Sequence, residues 1–146
     1  MNNNRRVVIY FVLIVEIVMN NKGKIIPNGV ILEAHELATV VFFTELGYDI
    51  ELIPRSNVQG VHKPDMRMDG LEWEIKAPKG EGKSLIKNTL QKATKQSSNV
   101  IIDLRRTKRY QDKCIAEITR EFNHSSSLKR VKIITKSGKL IDITKS

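Results

Sequence analysis

The chain has 146 residues, with 25 Lys and Arg against 16 Asp and Glu and a net charge of +9. That is one domain's length with room for a real core, and the charge predicts a polyanionic partner, nucleic acid ahead of a membrane surface. The single Cys114 excludes an internal disulfide and, with only three His, leaves no zinc cluster; no Gly-rich phosphate loop, Ser-His-Asp arrangement, repeat or low-complexity tract is present.

The chain begins with a polar stretch ending in Arg5-Arg6, followed by Val7 to Met19, apolar apart from Glu16. That run is shorter than the roughly 20 residues a membrane helix needs, and no small-residue cleavage site follows it. Its β-branched content predicts a strand or an extension, with Met19 an alternative initiator and weak membrane association the lesser reading. Asn20 to Gly29 holds Gly23, Pro27 and Gly29 and reads as a linker. Residues 1–29 are thus expected to be leader and linker, and residues 30–146 a single domain.

Leu32 to Leu46 carries Leu32, Leu37, Val40, Val41 and Leu46 near helical spacing, with Gly47 as the stop. Glu36 falls near the buried stripe, where an acid invites explanation, and Glu33 competes for the same role. Tyr48 to Ile53 alternates polar and apolar up to Pro54 and predicts a strand. Arg55 to Lys63 is a polar loop.

Lys63 to Lys76 then predicts a hairpin around Asp69-Gly70, a pair suited to a type I′ turn because both central residues need positive φ. This turn sets Met68 against Leu71, Arg67 against Glu72, Met66 against Trp73, and Asp65 against Glu74. One face is apolar; the other carries Asp65, Arg67, Glu72, Glu74 and Lys76. Like charges directly opposite destabilise a ladder by roughly 0.2–1 kcal/mol before burial is counted, so Asp65 and Glu74 need a compensating cation. A hard divalent ion, Mg²⁺ or Mn²⁺, suits two carboxylates with water and phosphate completing its shell. Lys76, two residues on, is placed to orient water or offset transition-state charge.

Ala77 to Lys83 is irregular, its glycines and lysines (Lys79, Lys83) available to a phosphate backbone. Ser84 is the expected cap of a helix running to about Ser97, with Lys87, Lys92 and Lys95 on its outer side and Gln96 or Asn88 as candidates to join the site. Asn99 to Leu104 is a nearly continuous apolar run, the mark of a strand buried on both faces. Arg105-Arg106-Thr107-Lys108-Arg109 leaves its end, a candidate phosphate grip or else a solvated loop. Gln111 to Phe122 reads as a helix in which Cys114 is a packed thiol. Val131 to Thr135 and Leu140 to Ile143 close the chain as a strand pair across Ser137-Gly138.

The spacing Pro64-Asp65, then Glu74-Ile75-Lys76, resembles the PD-(D/E)XK nuclease superfamily, and the element order over Leu32 to Leu104 resembles its restriction-endonuclease-like αβββαβ core. The expected fold class is therefore α/β, with a mixed central sheet and an added helix and strand pair. More closely, His35-Glu36, Gly47-Tyr48-Asp49, Lys63-Pro64-Asp65, the run Gly70 to Gly80, and Gln96 through Asp103-Leu104-Arg105-Arg106 look like the CdiA C-terminal tRNase domains of contact-dependent growth inhibition.

That resemblance implies a toxic, metal-dependent endonuclease that cleaves tRNA in the cytoplasm of a target cell and is neutralised by an immunity protein. Glu36, Asp65, Glu74 and Lys76 are the implied catalytic residues, the three acids the metal ligands, and Lys79, Lys83, Lys87, Gln96, Arg105 and Arg106 the candidate nucleic-acid contacts. Such effectors carry the nuclease on a long secreted stalk, so a stand-alone toxin or a mobile-element protein fits a chain of this length equally well. The alternatives are a DNA endonuclease and a non-catalytic basic nucleic-acid-binding domain.

Overall fold

A computed structural model describes residues 23–146; the leader Val7 to Met19 lies outside them. Seven strands form one mixed sheet whose spatial order follows the chain: β1 (Ile25–Ile26), β2 (Ile50–Leu52), β3 (Met66–Met68), β4 (Leu71–Lys76), β5 (Asn99–Asp103), β6 (Arg130–Ile134) and β7 (Leu140–Thr144). Three helices, α1 (Ala34–Glu45), α2 (Leu85–Ala93) and α3 (Gln111–His124), cross between the parallel pairs β1/β2, β4/β5 and β5/β6. The remaining neighbours are antiparallel, as short connections require.

Each sheet face is closed by its own apolar cluster. On one face, Leu37, Val40 and Phe43 of α1 pack on Met66, Met68, Trp73, Ile75 and Ile101. On the other, Ile86, Leu90 and Ala93 of α2 and Cys114, Ile118 and Phe122 of α3 pack on Val100, Ile102, Val131 and Ile133. Every residue of β5 is buried, because β5 lies centrally between covered faces. Cys114 is a free, buried thiol whose burial pushes its pKa up.

The hairpin register is the one its turn residues dictate: Met66 pairs with Trp73, Arg67 with Glu72 and Met68 with Leu71, with φ of 53° at Asp69 and 71° at Gly70. α1 ends in a Schellman arrangement, in which the Gly47 N–H donates to the Thr44 carbonyl at 3.0 Å and the Tyr48 N–H to that of Phe43 at 3.1 Å.

Three expectations need correcting. The expected linker 20–29 contains β1: Ile25 is in the core, and the Ile50 N–H donates to the Lys24 carbonyl at 2.8 Å, so packing starts before residue 30. Local glycine and proline content concealed it, because a two-residue parallel strand is stabilised by its partner rather than by its own pattern. α2 ends at Ala93, not Ser97, and is followed by a turn. Ser84 stands at its N-cap position without making a side-chain cap bond.

Candidate active site

β4 rises out of the hairpin so that Trp73 and Ile75 enter the α1 core while Glu74 and Lys76 point to the opposite face, where α2 packs. Strand alternation alone produces this separation. What α2 adds is cover, since only 2% of Glu74 is exposed. The segment that follows α2 is fastened to the strand by the Ser97 hydroxyl and the Asn99 amide, which donate to the Glu72 carbonyl at 2.8 and 3.1 Å. That attachment sets Gln96 over Glu74. With its amide oriented to match donors to acceptors, Gln96 Nε2 donates to both Glu74 oxygens at 2.6 Å.

Lys76 Nζ lies 2.5 Å from Glu74 Oε1. Asp65 stands just before β3 rather than within its ladder; its Oδ2 accepts the Ile75 N–H at 2.7 Å, and its own N–H donates to the Trp73 carbonyl at 3.0 Å. The Asp65 carboxylate is thereby anchored beside Glu74. Burial, reinforced by the Asp65 charge and opposed by the Lys76 hydrogen bond and charge, raises the Glu74 pKa to about 7.

These side chains open into a cleft of about 590 Å³. Its lining includes Thr89, Lys92 and Gln96 from α2 and its following turn, Arg106 after β5, Arg55, His62 and Lys63 from the loop before β3, and His35 and Glu36 from α1. Glu36 therefore shares the cleft with Asp65, Glu74 and Lys76, but its oxygens have local partners. Oε2 accepts the Glu33 N–H at 2.9 Å, capping α1, and Oε1 lies 3.4 Å from Arg55. Among the described residues, no group of three His, Cys, Asp or Glu side chains converges to hold a metal ion; the acids brought together are Asp65 and Glu74. Glu33 acts at the helix cap and, like Asn88, does not line the cleft.

The basic residues separate into those facing the cleft and those with structural work. Arg105, expected to grip phosphate, is bonded to Asp103 through Nε and Nη2 and donates to the Ala38 carbonyl at 2.9 Å, over the Phe42 ring. Arg109 is held by Glu117 and the Gly82 carbonyl. Thr107 donates to the Gly80 carbonyl at 2.8 Å and Arg106 Nε to that of Ala77 at 2.5 Å. The basic segment thus clasps the loop after β4, a use set by backbone carbonyls of that loop that the sequence pattern does not display. Lys79 and Lys83 are exposed on that loop, outside the cleft. Lys87 lines a separate depression between α2 and α3. Lys92 and His62, not singled out among the site candidates, do line the cleft; in sequence, Lys92 is one cation among several on a basic helix.

Among the described residues, no helix is long and apolar enough to cross a membrane. No curated protein matches the sequence. The structure is similar to that of a CdiA-CT/CdiI toxin and immunity complex from Burkholderia pseudomallei, with a TM-score of 0.58 and 20% identity over 76% of this chain and 83% of that one, a likeness of fold. Residues 62–140 match the contact-dependent growth inhibition CdiA C-terminal domain. That segment takes in β3 to β6, the Asp65, Glu74 and Lys76 cluster and more than half of the sequence, and by it the chain belongs to the CdiA C-terminal family, the toxin domains of contact-dependent growth inhibition.

Proposed function

We propose that this toxin domain is a nuclease of the PD-(D/E)XK type, hydrolysing phosphodiester bonds in the cleft at the end of β4, with tRNA as the favoured substrate. One observation carries the reading: a buried Glu74 set beside Asp65, with the Lys76 ammonium at 2.5 Å, in a cleft otherwise rich in cations. A merely structural pair has no need of a second carboxylate that raises the first.

The donor set suits a hard divalent cation. Two carboxylates face one ammonium, and such ions commonly take one or two protein carboxylates and fill the shell with water and substrate phosphate. Asp65 and Glu74 would hold Mg²⁺ or Mn²⁺, which when bound supplies Lewis-acid polarisation of the phosphate and an acidified water. Lys76 orients the attacking water or balances charge building on the phosphate oxygens. Gln96 fixes the Glu74 carboxylate, and the Ile75 N–H fixes that of Asp65. Glu36, at the cleft wall, takes the role of an outer contact to water. An immunity protein is the partner we expect, by analogy with the toxin and immunity complex from Burkholderia pseudomallei, and the cations lining the cleft would suit an acidic face on it.

The test is incubation of the purified chain with total tRNA and with plasmid DNA in Mg²⁺, Mn²⁺ or EDTA, beside Asp65→Ala and Lys76→Ala. Cleavage of tRNA that disappears in EDTA and in both variants is the expected result. Cleavage of DNA alone would replace the substrate. Cleavage of neither, with retained salt-sensitive binding, would leave a binding module.

A further inference from the structure

Resting on that reading, we propose that Lys92 and Arg106 form a phosphate subsite that holds the sugar–phosphate backbone of a polynucleotide beside the Asp65, Glu74 and Lys76 cluster. Several of the cations at or near the cleft are already engaged. Lys76 is paired with Glu74, Arg55 is 3.4 Å from Glu36, and Arg105 and Arg109 are tied to Asp103 and Glu117. Among the described residues, Lys63 Nζ, Lys92 Nζ and the two η nitrogens of Arg106 have no protein partner, and all three side chains line the cleft; Lys63 comes from the loop before β3, whereas Lys92 and Arg106 come from the segments that flank the strand bearing the acids.

The Lys92 and Arg106 side chains are both exposed, and what sets them apart from other surface cations is where they are rooted. Arg106 is anchored through Nε to the carbonyl of Ala77, the residue next to Lys76, so its free nitrogens stay close to the end of β4. Lys92 leaves α2 one turn before Gln96, which is fixed over Glu74. The two cations belong to segments that both converge on the strand bearing the acids. An anion placed between them meets one guanidinium edge, suited to two phosphate oxygens, and one ammonium. The Thr89 hydroxyl, one turn earlier on the same helix, donates instead to the Leu85 carbonyl at 2.7 Å, so charge rather than hydroxyl bonding is the recognition element.

Lys87 provides an internal control. It lies on the same helix and carries the same charge, but it opens onto the depression between α2 and α3 with Glu121 and His124. Generic attraction between a +9 chain and RNA would use Lys87 and Lys92 alike; a subsite would not.

The test is fluorescence anisotropy of labelled tRNA with the full chain in EDTA, on an Asp65→Asn background, titrated with NaCl. Lys92→Ala and Arg106→Gln should each weaken binding about three- to tenfold and reduce the slope of log K against log salt by about one, as for loss of one phosphate contact. Lys87→Ala should change neither. Because Arg106→Gln also removes a bond to the loop, Lys92→Glu serves as the second variant and should weaken binding more than Lys92→Ala. Equal losses in Lys87→Ala and Lys92→Ala, or tight binding by the Asp65→Asn parent untouched by the cleft variants, would overturn the subsite while leaving the nuclease reading in place. Absence of polynucleotide binding by the parent chain would overturn both.

Discussion

Two neighbouring strands lead into the same short pattern of acid, apolar residue and cation: Glu74-Ile75-Lys76 within the end of β4, and Asp103-Leu104-Arg105 running off the end of β5. Both acids are buried, at 2% and 4% exposure, yet their surroundings push them in opposite directions. Burial works against ionisation of Asp103, but hydrogen bonds from Arg105, the Thr39 hydroxyl at 2.7 Å and the Arg105 N–H outweigh it and hold the carboxyl below its usual range. Glu74 is less fully compensated. It has one lysine and an amide, and it faces Asp65, so its proton is retained to about pH 7. A saturated pair acts as a latch, here joining β5 to α1, whereas an unsaturated one retains charge that a ligand can complete. The discriminating feature is therefore what opposes the acid, not the acid–x–cation pattern itself.

The comparison can be broken at several points. The largest effect is expected from Lys76→Ala, which should lower tRNA cleavage at least about 10³-fold, or roughly 4 kcal/mol of transition-state stabilisation, with an unchanged circular dichroism spectrum. Full activity in a folded Lys76→Ala protein would mean that the β4 cluster is as structural as the β5 one. Arg105→Leu should behave in the opposite way. Leaving Asp103 buried without its cation, with only the Thr39 hydroxyl and the residue-105 N–H still donating to it, is expected to cost about 2–3 kcal/mol of stability in urea unfolding, while the protein that remains folded cleaves normally.

The pH dependence sharpens the contrast. The folded-state pKa of Glu74 lies above its unfolded value of 4.5, so the native state binds the extra proton. Its contribution to stability therefore falls as pH rises from about 4.5 to 7, by at most about 3 kcal/mol. Asp103 has the reverse sign: its contribution is present above its unfolded pKa of 3.8 and is lost as pH falls through the depressed folded value. Urea titrations in EDTA at pH 5 and pH 8 should detect the Glu74 loss, and Glu74→Gln should remove it and be more stable than wild type at pH 8. The smallest effect is thermal. Mg²⁺ or Mn²⁺ at about 100 times its dissociation constant should stabilise the chain by roughly 3 kcal/mol, seen as a higher Tm. That shift should be absent from Asp65→Asn and retained by Asp103→Asn, and equal shifts in both variants would place the cation elsewhere.

Much of this contrast could be read from residue order, and the parts that could not share a cause. Asp69-Gly70 dictates the hairpin register and so brings Asp65 beside Glu74, because turn chemistry and strand alternation are local. The surroundings of Arg105 and Lys87 could not be read from residue order because their neighbours in space come from elsewhere in the chain: Ala38 and Thr39 are on α1, and Glu121 and His124 are on α3. β1 escaped notice for the same reason, since its two residues are a strand only in the presence of β2.

The sequence by itself determined the charge balance, the buried run that becomes β5, the hairpin with its two carboxylates, and the lysine two residues beyond. All of these follow from period, turn residues and composition. Only the tertiary structure decided which acid is saturated, which cations are left free at the cleft, and that Gln96 rests on Glu74. Those outcomes depend on where α1 and α2 settle against the sheet, and helix placement is set by packing between segments that the linear pattern keeps apart.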